Sequence, residues 1–324
     1  MGDTISQNIR RKPWIDTLRA MAMLFVIFGH QVRWWDDFFL YTTPIKIPLF
    51  FAISGYLFNN RKGIQIYFYR GLFIKLVIPF FCLVTIPALL LSLFYGIGFL
   101  LESWRKMISG ESYWFITCLI VAEIIHFYIR KICKTTLFVT VVCLICSAIG
   151  LFAARNGILS FGKINTALIS QTYLLLGFLL RQYEKELNRV PWGGAVGLFV
   201  AYVGLCFASQ YLFTNTKFDC NLNYYYNIAY CALLIIMGCV SCFLLARKIP
   251  NYPKWLTFIG QNTFILYLWA GHALTFFVVL DKLGVELPQE NISYSLVQTI
   301  WATVVCMGVA MVVNRYLPFI VGKK

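Results

Sequence analysis

Long apolar segments recur along the whole 324-residue chain, with only short polar stretches between them. A transmembrane helix needs about 20 apolar residues to cross a bilayer, and lipid provides no water for unpaired backbone groups. Ten segments approach this length: about 14–32, 45–58, 72–95, 113–129, 136–154, 164–180, 193–213, 224–246, 256–280 and 292–314. The sequence therefore predicts an all-α, polytopic integral membrane protein with about ten transmembrane helices.

The polar stretches are too short to fold separately, so residues 1–324 are expected to form a single transmembrane domain. Composition agrees, since 60% of the residues are hydrophobic and only 13% are charged. The second apolar segment, 45–58, is short and contains Pro48. We expect a broken or re-entrant helix there, or one that packs closely against a neighbour.

The distribution of basic residues predicts the orientation of the chain, because Lys and Arg concentrate in cytoplasmic loops. With a cytoplasmic N-terminus, 18 of the 28 basic residues fall on the inner side and eight on the outer side, Lys46 among the latter. Both termini are therefore expected to be cytoplasmic. The formal net charge of +15 is then explained by topology and attraction to anionic lipid, and nucleic-acid binding is not expected.

Two ionisable residues, Arg19 and His30, interrupt the first apolar segment. Ionisable side chains are costly inside a membrane, and by default they indicate a functional site. Eleven residues at about 100° each bring both side chains to one helix face, about 16 Å apart along the axis. Asp16 lies close to this face and can pair with Arg19. The first helix is thus expected to present a cation near one membrane surface and an imidazole near the other.

The other two histidines also lie in apolar segments. His272 falls about as deep in the ninth segment as His30 does in the first, so both are expected to approach the outer leaflet and line one pocket. A structural hydrogen bond between helices is an equal alternative for His272. Glu123 and His126, three residues apart, lie on one helix face. We favour a mutually satisfied structural pair for them over a proton relay.

Arg70 and Lys75 lie near the inner end of the third segment. Two cations beside a cytoplasmic opening suit a polyanionic cofactor, and a solvated basic rim is an equal alternative. Ser54 has no motif typical of a nucleophile and is assigned to the scaffold. The eleven cysteines are spread through the apolar segments, so neither a disulfide framework nor a metal site is expected.

Several of these residues form patterns that resemble a known family. Arg19 and His30 match the R-x10-H signature of the integral membrane acyltransferase family 3, whose members acylate carbohydrates. Further segments that resemble motifs of the family are Trp14 to Arg19, Pro48 to Phe58, Tyr69 to Lys75, Trp114 to Ile116, and Gly260 to Tyr267 followed by His272. The short first loop makes the chain most similar to the fucose-acetylase-like branch. One departure is Lys46, which takes the place of a histidine in the F-H-M-P-L-F motif of that branch.

The resemblance implies transfer of an acyl group, usually acetyl, from cytoplasmic acyl-CoA to a sugar hydroxyl of a surface or lipid-linked glycan. Arg19, helped by Arg70 and Lys75, would bind the CoA phosphates, and Asp16 would orient Arg19. His30 would act as a general base or as a transient acyl carrier. The resemblance also implies a multi-pass protein of the bacterial inner membrane, with glycan-assembly proteins as candidate partners and no metal cofactor.

Two functions of other classes stay open at the level of sequence. A glycan exporter would use the same intramembrane charges along a substrate path, without covalent chemistry. Transporters often contain paired halves with broken helices, and no such repeat is visible in the sequence, which favours the enzyme. A purely structural partner in a glycan-synthesis complex would leave the shared face of Arg19 and His30 without a role.

Overall fold

The structure is a computed structural model that describes residues 12–32, 34–58, 65–158, 161–288 and 290–322. Helices make up 83% of it, and the predicted all-α class is confirmed. The fifteen α-helices of the described chain are α1 (Pro13–Gln31), α2 (Asp36–Leu57), α3 (Gln65–Leu72), α4 (Ile78–Tyr95), α5 (Ile97–Ser109), α6 (Trp114–Ile132), α7 (Thr136–Arg155), α8 (Ile164–Ile169), α9 (Gln171–Gln182), α10 (Glu184–Arg189), α11 (Trp192–Leu212), α12 (Ile228–Lys248), α13 (Lys254–Gln261), α14 (Thr263–Lys282) and α15 (Ile292–Tyr316).

Shorter elements connect several of these helices. A π-helical turn, Phe73–Val77, joins α3 to α4, and 3-10 helices form at Phe161–Lys163 and Pro318–Val321. Between α11 and α12, strands β1 (Phe218–Asp219) and β2 (Tyr224–Tyr225) pair antiparallel as a small hairpin. The hairpin lies in the connection between α11 and α12, residues 213–227.

Seven helices of the described chain are long and apolar enough to cross a membrane: α2, the continuous helix Phe68–Tyr95, α7, α11, α12, α14 and α15. The number rises to nine when each of two bent pairs is counted as one span. The chain is thus a multi-pass membrane protein, whereas the count of ten and the cytoplasmic termini stay predictions. Residues 1–11 and 323–324 lie outside the described residues, as do Arg33, Arg61 and Lys62, which entered the charge count.

The second apolar segment differs most from expectation. It forms one continuous helix, α2, so the expected break is wrong. Pro44 and Pro48 lie inside this helix, and membrane helices tolerate proline where neighbouring groups satisfy the freed carbonyls. The helix begins nine residues before the predicted segment. The prediction missed this start because Asp36 and Asp37 lower the hydropathy of the first turn. Lys46, counted as an outer-side residue, therefore lies within a spanning helix.

Two other predicted segments are interrupted in the structure. The ninth, 256–280, consists of α13 and α14, with Asn262 between them. The sixth, 164–180, is bent by 46° between the helical residues Phe161–Ile169 and α9. Apolar composition alone does not show such breaks, because both halves of each segment are apolar.

Helices α1 and α2 lie at the centre of the bundle. α1 packs against α2, α12, α13, α14 and α15, and α2 also packs against α9 and α11. A Cβ at Gly177 of α9 would overlap the carbonyl oxygen of Ala52, and one at Gly260 of α13 would overlap that of Asp16. Both helix pairs thus approach closely only because these positions are glycine. The close packing expected for the second apolar segment is confirmed.

Candidate functional site

Arg19 and His30 of α1 face two cavities inside the bundle. Arg19 lines a cavity of about 850 Å³, which we name the Arg19 cavity. His30 lines a second cavity of about 860 Å³, which we name the His30 cavity. Volumes of this size hold small-molecule ligands in many proteins. The shared orientation of Arg19 and His30, predicted from their spacing, places each side chain where a ligand can reach it.

Positive charge dominates the Arg19 cavity. Its charged lining consists of four basic and two acidic side chains: Lys12, Arg19, Lys75, Arg181, Asp16 and Glu123. Lys75 lies in the π-helical turn Phe73–Val77, and π-helical turns are frequent at functional sites. Cations that converge from separate helices can bind several phosphate groups of one ligand. The Arg19 cavity is therefore suited to a polyanion.

The two acidic residues of the Arg19 cavity have different partners. Asp16 is buried, with 3% of its surface exposed, and accepts a hydrogen bond of 3.3 Å from Gln261 Nε2. Glu123 Oε1 accepts a hydrogen bond of 3.0 Å from the Ser54 hydroxyl and interacts electrostatically with Arg19. Ser54, which the sequence assigned to the scaffold, thus lines the cavity and holds an acidic side chain.

The His30 cavity brings two of the three histidines together, as expected. His30 and His272 both line it. His272 Nε2 and the Tyr113 hydroxyl are 3.4 Å apart and share a hydrogen bond. The rings of Phe39 and Trp114 also line the cavity. Aromatic walls with a few convergent polar groups are typical of sites for small polar ligands.

The two cavities adjoin each other. They share four lining residues: Met23, Val26, Ile47 and Tyr267. Two of these, Met23 and Val26, lie on α1 between Arg19 and His30 and form part of a wall common to both cavities. The Tyr267 hydroxyl accepts a hydrogen bond of 3.3 Å from the backbone N–H of Phe115, which fixes the ring. Only these shared side chains therefore need to separate a ligand bound at Arg19 from the cavity of His30.

The cations that line the Arg19 cavity differ in part from those that the sequence predicted. Arg70 is exposed and lines neither cavity, because five residues at about 100° each turn it about 140° away from Lys75. Arg181 at the end of α9 and Lys12 before α1 line the Arg19 cavity instead. Sequence reasoning missed both, since only the packing of distant segments brings them to this place.

His126 lies away from both cavities. It is fully buried, and its Nδ1 lies 3.2 Å from Gln171 Oε1. Since Glu123 pairs with Ser54 instead, the expected pair of Glu123 and His126 is not formed within the described chain. All eleven cysteines are free thiols, and the described residues contain no group of three or more His, Cys, Asp or Glu arranged for a metal ion.

A cluster of ion pairs and hydrogen bonds lies beside the Arg19 cavity. Lys12 Nζ donates hydrogen bonds of 2.9 Å to the Tyr56 hydroxyl and to Glu184 Oε1, and Arg247 pairs with the same carboxylate. Burial alone would raise the pKa of Glu184, but hydrogen bonds from Lys12 and Tyr56 and the charge of Arg247 lower it below the ordinary 4.5. The cluster thus links the first residues of α1 to α2, α10 and α12.

Comparison with known proteins identifies the family. A family model described as an acyltransferase domain, that of acyltransferase family 3, matches residues 12–314. Neither a curated protein nor a solved structure matches the chain. The matched range contains Arg19, His30 and the charged residues that line both cavities. Because it covers nearly the whole chain, the protein belongs to acyltransferase family 3 and is a membrane acyltransferase.

Proposed function

We propose that the protein transfers an acyl group, acetyl in the first instance, from cytoplasmic acyl-CoA to a sugar hydroxyl of a cell-surface or lipid-linked glycan. The observation that carries the proposal is the pair of adjoining cavities, one rich in cations and one containing two imidazoles. An acyl transfer between compartments needs a donor site, an acceptor site and a contact between them. The two cavities provide room for all three.

The residues of the Arg19 cavity fit the donor. CoA carries phosphate groups at one end, and four basic side chains line this cavity against two acidic ones. Arg19, Lys75 and Arg181 would hold the phosphates through charge-assisted hydrogen bonds. Asp16, buried beneath Arg19 on the same helix, would be a positioning residue for the guanidinium. Arg70 has no part in the proposal because it is exposed outside the cavity.

The distance along α1 fits the reach of the donor. Arg19 and His30 are eleven residues apart, which corresponds to about 16 Å along the axis. This is comparable with the length of the pantetheine arm that separates the thioester of acyl-CoA from its phosphates. The arm would pass the shared lining residues Met23, Val26, Ile47 and Tyr267. These side chains are mostly apolar and suit an uncharged chain.

At the far end of this path, His30 would remove the proton from the sugar hydroxyl. The hydroxyl oxygen then forms a bond to the acyl carbon, the bond from that carbon to sulfur breaks, and the proton passes from the imidazolium to the departing thiolate. An alternative route has two steps. A ring nitrogen of His30 first bonds to the acyl carbon while the carbon–sulfur bond breaks, and the imidazole proton passes to the departing thiolate; the sugar oxygen then takes the acyl group from the nitrogen, and the hydroxyl proton returns to the imidazole. His272 and Tyr113 would orient the acceptor beside His30.

The proposal includes a cellular setting. We propose that the protein lies in the lipid bilayer of a bacterial inner membrane. Its acceptor would be a glycan or a lipid-linked saccharide. Proteins that assemble the same glycan are candidate partners, and nucleic acid is not among the proposed ligands. No metal is proposed in the chemistry.

The proposal is tested with purified protein in lipid vesicles, labelled acetyl-CoA and glycan acceptors. Wild-type protein is expected to transfer label to the acceptor, and His30→Gln, which keeps hydrogen-bonding capacity but not basicity, is expected to lose transfer by at least about 100-fold. Equal transfer by both proteins contradicts the role of His30. Movement of unmodified glycan across the vesicle membrane without label transfer indicates an exporter and contradicts the proposed enzyme.

A further inference from the structure

A lysine lies inside the acceptor side of the site. Lys46 is part of the spanning helix α2 and lines the His30 cavity. Its Nζ lies 4.4 Å from the centre of the Phe39 ring. It also lies 3.5 Å from the position that a Cβ at Gly29 would take, next to His30 in sequence. The ammonium group thus lies between an aromatic ring and the backbone of α1, in the cavity that His30 also lines.

No carboxylate of the described chain forms an ion pair with Lys46. Asp219 lines the same cavity, and its negative charge interacts electrostatically with Lys46 without direct contact. Its Oδ1 accepts hydrogen bonds from the backbone N–H groups of Asn221, at 2.7 Å, and Leu222, at 3.0 Å. These bonds hold Asp219 in the turn of the β hairpin and offset its charge.

Lys46 is partly buried, and a partly buried positive charge without a contacting anion is unfavourable in a membrane protein. The ring of Phe39 offsets this cost only partly, because a cation–π contact is weaker than contact with an anion. A ligand that brings a carboxylate or phosphate next to Lys46 would supply the missing charge. The remaining titratable groups of the cavity are His30, His272, Tyr113, Tyr267 and Cys220, and none of these side chains is ordinarily negative near neutral pH.

We propose that the acceptor is an anionic saccharide, and that Lys46 binds its negatively charged group. This inference rests on the proposed function and adds the substrate class of the His30 cavity. Since Lys46 lies beside Gly29, the charged group of the sugar is held next to the imidazole of His30. The hydroxyl that receives the acyl group is therefore close to the charged substituent of the same sugar residue. Lys46 determines both which acceptor is used and which hydroxyl reacts.

The test compares matched acceptors in the vesicle assay. They are a uronic-acid oligosaccharide, the same oligosaccharide after reduction of its carboxyl groups to alcohols, and a phosphorylated sugar of equal length. Wild-type protein is expected to use an anionic acceptor with kcat/KM about tenfold or more above that of the neutral one. The carboxylate and phosphate arms show which anionic group Lys46 binds.

The variants separate specificity from catalysis. Lys46→Met has nearly the same shape without the charge, and it is expected to lower kcat/KM for the anionic acceptor about tenfold, so that the preference over the neutral acceptor is lost. Lys46→Arg is expected to keep the preference. Asp219→Asn, the matched control in the same cavity, is expected to strengthen it, because a competing negative charge is removed.

Two results overturn the inference. One is a wild-type protein that uses the neutral acceptor as well as the anionic ones. The other is a Lys46→Met variant that loses both acceptors equally, which indicates a role of the ammonium in the reaction or in folding. Absence of transfer to every acceptor contradicts the proposed function instead. In that case, thermal stabilisation of wild-type protein but not of Lys46→Met by the anionic saccharide alone still supports the binding role, and equal stabilisation overturns it.

Discussion

The Ser54 hydroxyl donates a hydrogen bond of 3.0 Å to Glu123 Oε1 and so fixes a carboxylate in a cavity lined by four cations. This contact joins α2 to α6 at the site where the donor phosphates are proposed to bind. The negative charge of Glu123 opposes a polyanion, and it limits how tightly the cavity holds its ligand. Its removal therefore has a measurable effect on donor binding.

Glu123→Gln is expected to lower the KM for acetyl-CoA by about two- to tenfold, because it removes one negative charge and keeps an oxygen that accepts from Ser54. The measurement is steady-state transfer with varied donor. Ser54→Ala is the matched control: it keeps the charge, leaves the donor KM unchanged and lowers stability by about 1 kcal/mol. A Glu123→Gln variant that loses transfer at unchanged KM would indicate a proton relay instead.

Arg19→Ala is expected to raise the KM for acetyl-CoA about 10- to 100-fold, which corresponds to the ~1.5–3 kcal/mol of a hydrogen bond to a charged group. Arg70→Ala removes a cation that is exposed and outside the cavity, so its KM should equal that of wild type. Donor titrations at several salt concentrations distinguish the loss of a direct contact between Arg19 and a phosphate from the loss of long-range attraction between CoA and the basic surface, which salt screens. Equal increases in both variants would show that the structure does not separate the two arginines functionally.

Gly177→Ala is expected to destabilise the protein by at least about 2 kcal/mol, because the new methyl group overlaps the backbone of Ala52. Thermal unfolding in detergent, followed by the recovery of monodisperse protein, measures this effect. Gly308→Ala in α15 is the control, since a Cβ there has nothing within 4 Å. A shift in melting temperature of the same size in both variants would contradict the close approach of α2 and α9.

Glu184 gives the stability of the cluster a defined pH dependence. Its pKa is lowered in the folded protein, so the carboxylate contributes stability that is fully present above the unfolded value of about 4.5 and is lost as pH falls through the folded value. Glu184→Gln should therefore melt at a lower temperature than wild type at pH 7. The difference should shrink as the pH falls below about 4.5. A difference that is constant with pH would mean that packing, not charge, connects Glu184 to its neighbours.

The sequence predicted the parts of the site that depend on one helix. The spacing of Arg19 and His30 fixes their common face by helix geometry alone, and the structure places both in cavities. The proximity of His272 to His30 also followed, because depth in the membrane limits where an ionisable side chain can lie. The register of a single helix is a local property of the chain.

What the sequence did not predict depends on packing between distant segments. Arg181 reaches the Arg19 cavity only because α9 packs closely against α2, which in turn requires Gly177. Lys46 was counted as an outer-side charge, since Pro48 and the nearby polar residues concealed the length of α2. Contacts of this kind are set by the whole bundle, and no local pattern of residues encodes them.

The short region that the two cavities share also bears on how the cell keeps its ion gradients. Met23, Val26 and Ile47 offer no strong hydrogen-bonding group, and the hydroxyl of Tyr267, the fourth shared residue, already accepts a bond from the Phe115 N–H. A hydrated proton or metal cation would therefore have to shed most of its water there. A slender uncharged chain has no such cost. With the donor proposed above, the pantetheine arm would pass this region, whereas the leak of ions through it between turnovers would be slow.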